Sequence, residues 1–373
     1  MCPMLHFSRP LKRLPPVLFL GVLSLLAVSC SHVGDRGSLA PLPLEIPEVK
    51  AAGFRVIKTE KRDGYSVSRV EYGVASEEKI PAFLLIPDGA SEKDKVPGLL
   101  LLHDHGARFD IGKEKLVRPL EDSPEHIRLS SLRFVEDNFD GVYFGERLCR
   151  EGYAVLVPDV LYWGERSTPL CQKWSRVNFL GEEGDLKELK DIVYEGQRAV
   201  YDSLYSKGIV WAEQTLWEDA ASLELLRSLP EVKDDKVGAF GWSMGAHRCW
   251  LLGAVSKNLA SGVALCWMTL KSTCDNPPKA SDYSMMIPRL RDEYDFPDIA
   301  RNLAPERFLF LSGKEDKLFP VDSVAKAFGI MQDIYSRKGA EGRLETELFD
   351  GYHHCGLKEQ ERIISFFRET LSE

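Results

Sequence analysis

The stretch Val237-Gly238-Ala239-Phe240-Gly241-Trp242-Ser243-Met244-Gly245-Ala246 decides the fold of this 373-residue chain. Its first part, Val237–Trp242, is an apolar run of strand length without alternation, and a helical pattern opens near Ala246. A serine between them stands in a tight strand-to-helix turn, where the strained backbone leaves no room for side chains two residues either side. Gly241 and Gly245 meet that need. At a helix N-terminus Ser243 would have the backbone N–H of Met244 beside it to stabilise an oxyanion, helped by the helix dipole.

Outward from this stretch, continuous apolar runs recur at Gly98–Leu102, Tyr153–Val157, Gly262–Trp267, Phe308–Leu311 and Leu344–Phe349, each followed at a distance by a helical pattern. Runs without alternation suit strands covered on both faces, so the class is α/β, a mostly parallel central sheet with helices on both faces. Upstream, Phe54–Glu60, Tyr65–Tyr72 and Ile80–Ile86, punctuated by Asp63-Gly64 and Pro87-Asp88, predict an antiparallel N-terminal start. Ala212, Leu216, Ala220, Leu223 and Leu226 form one face of a helix between Trp211 and Leu229, ending at Pro230. Ile363, Ile364, Phe366, Phe367 and Leu371 do the same for Glu359 to Leu371. Residues 104–141 and 160–207 are too long for simple connections and read as loop insertions, placed where α/β proteins put ligand contacts.

A serine nucleophile is feeble without a base and a group to orient that base. Downstream, Phe308–Leu311 runs into Ser312-Gly313-Lys314-Glu315-Asp316 and on to Pro320, and Leu344–Phe349 runs into Asp350-Gly351-Tyr352-His353-His354. The order is Ser, acid, His. In order and strand placement these motifs resemble the α/β-hydrolase fold of the dienelactone hydrolase and acetyl-xylan esterase type, over nearly all of residues 80–373. The resemblance implies Asp316 as the acid, because Gly313, Asp316 and Pro320 match the family spacing, with Glu315 as a register-shifted alternative. It implies His353 as the base after Asp350-Gly351, with His354 as the alternative. It also implies backbone oxyanion donors at Met244 and at Ala107, the latter in Leu102-His103-Asp104-His105-Gly106-Ala107.

The activity implied is that of a serine esterase working through an acyl-enzyme, with no cofactor and no metal. Dienelactone hydrolases proper carry Cys where this chain has Ser243, and the departure points to carboxylic esters. Resemblance and export together suggest small acyl groups, such as acetyl, on carbohydrate. Two further functions compete: a prolyl oligopeptidase-like peptidase, whose catalytic domain shares these motifs but usually has a large accessory domain for which this chain has no room, and a catalytically silent binding lipoprotein.

Several residues admit a second reading. His103 and His105 at a strand end share a face and could ligate zinc, against their place in an oxyanion loop. His247, four residues after Ser243, is expected to pack on its helix, and Cys355 lacks the strand-turn-helix setting of a nucleophile. Trp163 and Arg166 either contact substrate or, respectively, cover the core and pair with a carboxylate. The same alternatives hold for Gly112-Lys113-Glu114-Lys115.

Composition sets the outer bounds. With 44% hydrophobic and 28% charged residues, and only 29 Gly and 21 Pro, the chain is neither disordered nor fibrous. A net charge of -9 without a block of Lys and Arg argues against sequence-independent nucleic-acid binding. Arg9, Lys12 and Arg13 precede an uncharged stretch, Val17–Ser29, short of the about 20 apolar residues that span a bilayer, so residues 1–29 read as a secretory signal. Leu26-Ala27-Val28-Ser29-Cys30 resembles a bacterial lipobox, with Ala27 where Leu is usual. That resemblance implies a lipid anchor on Cys30 and, from Ser31, sorting to an outer membrane facing the periplasm or cell surface.

Loss of residues 1–29 moves the net charge to -12. Residues 30–48, with Pro41, Pro43 and Pro47, read as a tether, and 49–373 as one domain. Of eight Cys, Cys2 and Cys30 belong to the leader, and the other six are too sparse for a disulfide framework. Cys249 and Cys266 read as buried thiols. Oligomeric state has no signature in the sequence.

Overall fold

The computed structural model describes residues 39–46, 48–74, 79–273 and 283–371. Residues 1–29, which read as a secretory signal, and Cys30 and Cys274 lie outside them. Nine strands form one sheet: β1 Ala51–Arg62, β2 Tyr65–Val74, β3 Lys79–Pro87, β4 Val96–Leu102, β5 Ala154–Pro158, β6 Val232–Trp242, β7 Ser261–Leu265, β8 Arg307–Gly313 and β9 Leu344–Phe349. Their spatial order is β1-β2-β3-β5-β4-β6-β7-β8-β9. The first three strands pair antiparallel, β3 meets β5 antiparallel, and every pair from β5 through β4 to β9 is parallel.

The α-helices are α1 Glu125–Asn138, α2 Phe144–Arg150, α3 Pro169–Leu180, α4 Leu186–Tyr205, α5 Trp211–Ser228, α6 Met244–Val255, α7 Pro288–Glu293, α8 Ala300–Leu303, α9 Val321–Arg337 and α10 Leu357–Leu371. Successive strand side chains point to opposite faces, so each central strand feeds two cores. On one face Leu100, Leu156, Ala239 and Phe310 pack with Leu223 of α5, Cys249 of α6 and Val324 of α9. On the other, Leu99, Val155, Phe240 and Leu309 pack with Phe134 of α1, Phe144 of α2 and Ile363 of α10. This two-sided burial is why the strands read as unbroken apolar runs.

Two expectations need correction. The insertions 104–141 and 160–207 are not loops: the first holds α1 and the second α3 and α4. Their helical faces are partly polar and aromatic, which hid the period. Residues 39–46 are also not a free tether. Leu42 is buried, its N–H donates to Asn302 Oδ1 at 2.7 Å and its carbonyl accepts from Asn302 Nδ2 at 3.1 Å. Leu39, Leu44 and Ile46 pack on the same core. Proline there sets an extended strap whose leucines dock, rather than a spacer.

Candidate active site

Ser243 caps the N-terminus of α6 directly after β6, with φ 56° and ψ -123°. A non-glycine residue there stores roughly 1–3 kcal/mol of strain and needs surroundings that hold it. Its N–H donates to Leu265 O at 2.8 Å, and its carbonyl accepts from Ala246 N at 2.8 Å and His247 N at 3.2 Å. A Cβ on Gly241 would overlap the Gly245 carbonyl, and one on Gly245 would overlap that of Leu102. The flanking glycines are therefore steric requirements of the turn. The Met244 N–H, at the first helical position, meets no protein acceptor among the described residues.

The carboxylate of Asp316 is buried in the turn after β8. Its Oδ1 accepts the backbone N–H of Leu318 at 2.8 Å and of Phe319 at 3.3 Å, while Oδ2 accepts from His353 Nδ1 at 2.7 Å. The His353 ring lies between Trp242, 5.3 Å away, and Phe319, 6.0 Å away and stacked. Glu315 is exposed, with its N–H on Gly351 O. His354 sits apart, its Nε2 3.1 Å from Asp140 Oδ1. The structure thus joins Asp316 to His353, and neither Glu315 nor His354 takes part. Ser243 Oγ has no hydrogen bond to any described residue, so its bond with His353 is not formed in this structure; such contacts often tighten only with substrate.

The turn after β4 is more constrained than its sequence suggested. Gly106 and Ala107 both have positive φ, 54° and 52°, which folds the Ala107 N–H back onto His105 Nδ1 at 3.1 Å. The implied oxyanion donor is therefore engaged. His105 Nε2 faces Gln197 Oε1 on α4 at 3.2 Å; His103 Nδ1 faces Asp104 O at 2.9 Å and its Nε2 accepts from Val160 N at 3.2 Å. All four ring nitrogens are spent on protein partners, and burial pushes the His105 pKa down to about 3. The zinc alternative at this pair has no free ligand atoms to use.

Sequence reasoning missed the charges beneath this turn. Lys115 is fully buried, with Nζ donating to Asp104 O at 2.8 Å and His105 O at 2.9 Å. Lys113 Nζ is held at 2.8 Å by each of Glu114, Asp159 and Glu165, so an ammonium already fills that acidic cage. Arg166 pairs with Glu218 at 2.5 and 2.9 Å, and Trp163 is buried with Nε1 on His105 O at 3.0 Å. Trp163 covers the core and Arg166 pairs with a carboxylate, the second of the two readings their sequence allowed. Cys266, after β7, lies beside Asp316 and His353, their ligand atoms within 4.8 Å of one another. Burial raises its thiol pKa, making it a poor nucleophile or ligand. Cys149, Cys171, Cys249, Cys266 and Cys355 are all free and buried.

Residues 135–283, which include Ser243, match the model of the dienelactone hydrolase family. The candidate hydrolase YtaP of Bacillus subtilis (strain 168) is 20% identical over 82% of this chain and 88% of its own length. Among solved structures, a candidate acetyl xylan esterase of Bacteroides fragilis aligns with TM-score 0.60 and 19% identity, covering 80% of this chain and 70% of that one. A glucuronoyl esterase of Solibacter usitatus aligns with TM-score 0.55 and 13% identity, over 89% and 88%. These likenesses establish the α/β-hydrolase fold. Beyond the matched residues the same sheet continues through β8 and β9, which bring Asp316 and His353 to the Ser243 turn.

Proposed function

We propose that this hydrolase of the dienelactone hydrolase family is a serine esterase acting on carboxylic esters through an acyl-enzyme. The observation that carries the reading is the Asp316–His353 hydrogen bond at 2.7 Å, beside a serine in a strained strand-to-helix turn. Ser243 Oγ attacks the ester carbonyl carbon while His353 Nε2 takes its proton; Asp316 holds the imidazolium through Nδ1. The tetrahedral oxyanion accepts the Met244 N–H, and the Ala107 N–H once that amide leaves His105. Collapse expels the alcohol, protonated by His353, and water repeats the sequence on the acyl-serine.

The substrate class we propose is an acylated carbohydrate, acetylated ones included, a reading supported by the candidate acetyl xylan esterase among the solved structures of this fold. The lipobox-like Leu26–Cys30 stretch supports export and a lipid anchor on Cys30, tested by the mass of the mature N-terminus.

The deciding experiment measures p-nitrophenyl acetate, acetylated xylan and aminoacyl-anilide turnover. Ser243→Ala and His353→Ala should each lower kcat by roughly a thousandfold or more, whereas His354→Ala should retain most activity. Unchanged turnover in Ser243→Ala sinks the mechanism, and anilide cleavage without ester preference would favour a peptidase.

A further inference from the structure

His247 lies on α6 one helical turn after Ser243, wedged edge-on between Trp250 and Trp267, with ring centroids 4.5 and 4.7 Å away. It is only 4% exposed. Burial pushes its pKa down to about 3, so the ring is neutral and carries one donor and one acceptor. Neither nitrogen hydrogen-bonds to a described residue. His103, His105 and His126 all face hydrogen-bonding atoms, and His353 and His354 face carboxylates. Neither nitrogen is among the sealed, unpaired polar atoms of the fold, so the imidazole opens to the cleft it lines, and a ligand that fills the cleft must offer it a hydrogen-bond partner or leave it unpaired.

The ring lines a narrow cleft walled by Leu42, Trp267, Met285, Ile287 and Phe296. Two contacts tie this cleft to the catalytic groups. The Trp267 ring is 5.5 Å from Phe319, which stacks on His353 at 6.0 Å. Met285 also packs on the cluster that contains Met244. No Lys or Arg is among the described lining residues, and Oδ1 of the Asp295 carboxylate there accepts the backbone N–H groups of Lys271 and Phe296. The walls suit an apolar, flat body, and the imidazole suits one uncharged group that can donate and accept.

We propose that this cleft is a substrate subsite for an uncharged apolar arm, best an aromatic one, whose hydroxyl hydrogen-bonds to His247. That such an arm belongs to an ester rests on the esterase reading above; the binding itself does not. A site built to hydrogen-bond a hydroxyl discriminates strongly against the analogue lacking it, because the buried protein group is then left unpaired.

The test uses p-cresol and toluene as inert probes, titrated into the protein by ligand-observed NMR. The full chain should bind p-cresol roughly tenfold more tightly than toluene. In His247→Phe the ratio should fall to near one, and His247→Asn, which keeps a donor and an acceptor, should restore part of it. Equal binding of both probes, or a preference that survives His247→Phe in a variant with native circular dichroism, overturns the proposal. Matched esters then locate the arm: p-nitrophenyl p-hydroxyphenylacetate against the phenylacetate for the acyl side, and p-hydroxyphenethyl acetate against phenethyl acetate for the alcohol side. A kcat/KM preference dependent on His247 in either pair supports the subsite, and none in both pairs overturns it as a substrate subsite. Failure of the serine mechanism is read separately, as turnover that survives Ser243→Ala, while the probe titration stands apart from catalysis.

Discussion

Lys115 acts on the candidate site without facing it. Its ammonium is 3.6 Å from Asp104 Oδ1, lies 5.2 Å from the centre of the Phe134 ring, and holds the carbonyls of residues 104 and 105. Holding those carbonyls inward fixes the turn whose next two residues carry the left-handed backbone and the Ala107 amide. Lys115→Met would leave two buried carbonyls and the Asp104 carboxylate without their donor. Removing one partner of a buried pair costs about 3–5 kcal/mol, and a denaturant titration should show a loss of that size. Under conditions where the variant is folded, kcat should fall more than KM rises, since the ester can still bind while the oxyanion loses a positioned donor. Nothing in Gly112-Lys113-Glu114-Lys115 distinguishes this role from a solvated charged loop. Burial is a tertiary property, and the residues enclosing Lys115 come from α1 and the β4 end.

The strand-to-helix turn is where element and chemistry coincide, and it was the most legible part of the sequence. Local sterics alone demand Gly241 and Gly245, whatever the rest of the chain does. Gly245→Ala should be severely destabilised, by roughly 3 kcal/mol or more, because its Cβ meets backbone of β4 that cannot move without breaking the sheet. Low soluble yield and a lowered Tm would show it; a variant as stable as the parent would mean that β4 and α6 are not so close. The strands were legible for a similar reason, since burial on both faces writes itself as apolar runs. The helices of 104–141 and 160–207 were not, because their inward faces include Ser130, Ser131, Ser175 and Gln197, polar groups that the fold buries beside other polar groups. His353 and His354 could not be separated on their adjacency alone. What parts them is a bond to Asp316 on one side and to Asp140 on the other, 37 and 214 residues away in the chain.

Across the whole molecule the buried imidazoles couple stability to acid. His105 and His247 have an ordinary pKa of 6.5 and are held near 3 when folded. Below pH 6.5 the unfolded chain takes up their protons first, so it binds more protons than the native state and stability must fall as pH falls. Each such group contributes roughly 1.4 kcal/mol per pH unit across the window from 6.5 to about 3. Asp159, raised by burial from 3.8 to about 6, works in the opposite sense over part of that window, so the total slope is a balance. The difference between two chains is cleaner: His247→Phe should lose one proton's worth of slope below pH 6.5 and match the parent's slope above it. Lys115 adds an alkaline counterpart, because burial lowers its pKa from 10.5 to about 8. Between those values the unfolded chain again holds the extra proton, so stability should rise with pH, by roughly 3 kcal/mol at most, and Lys115→Met should lack that rise. Urea titrations of the three chains from pH 4 to 10 read both limbs. An acid slope shared by parent and His247→Phe would mean that the imidazole takes up its proton in the fold at the same pH as in the unfolded chain.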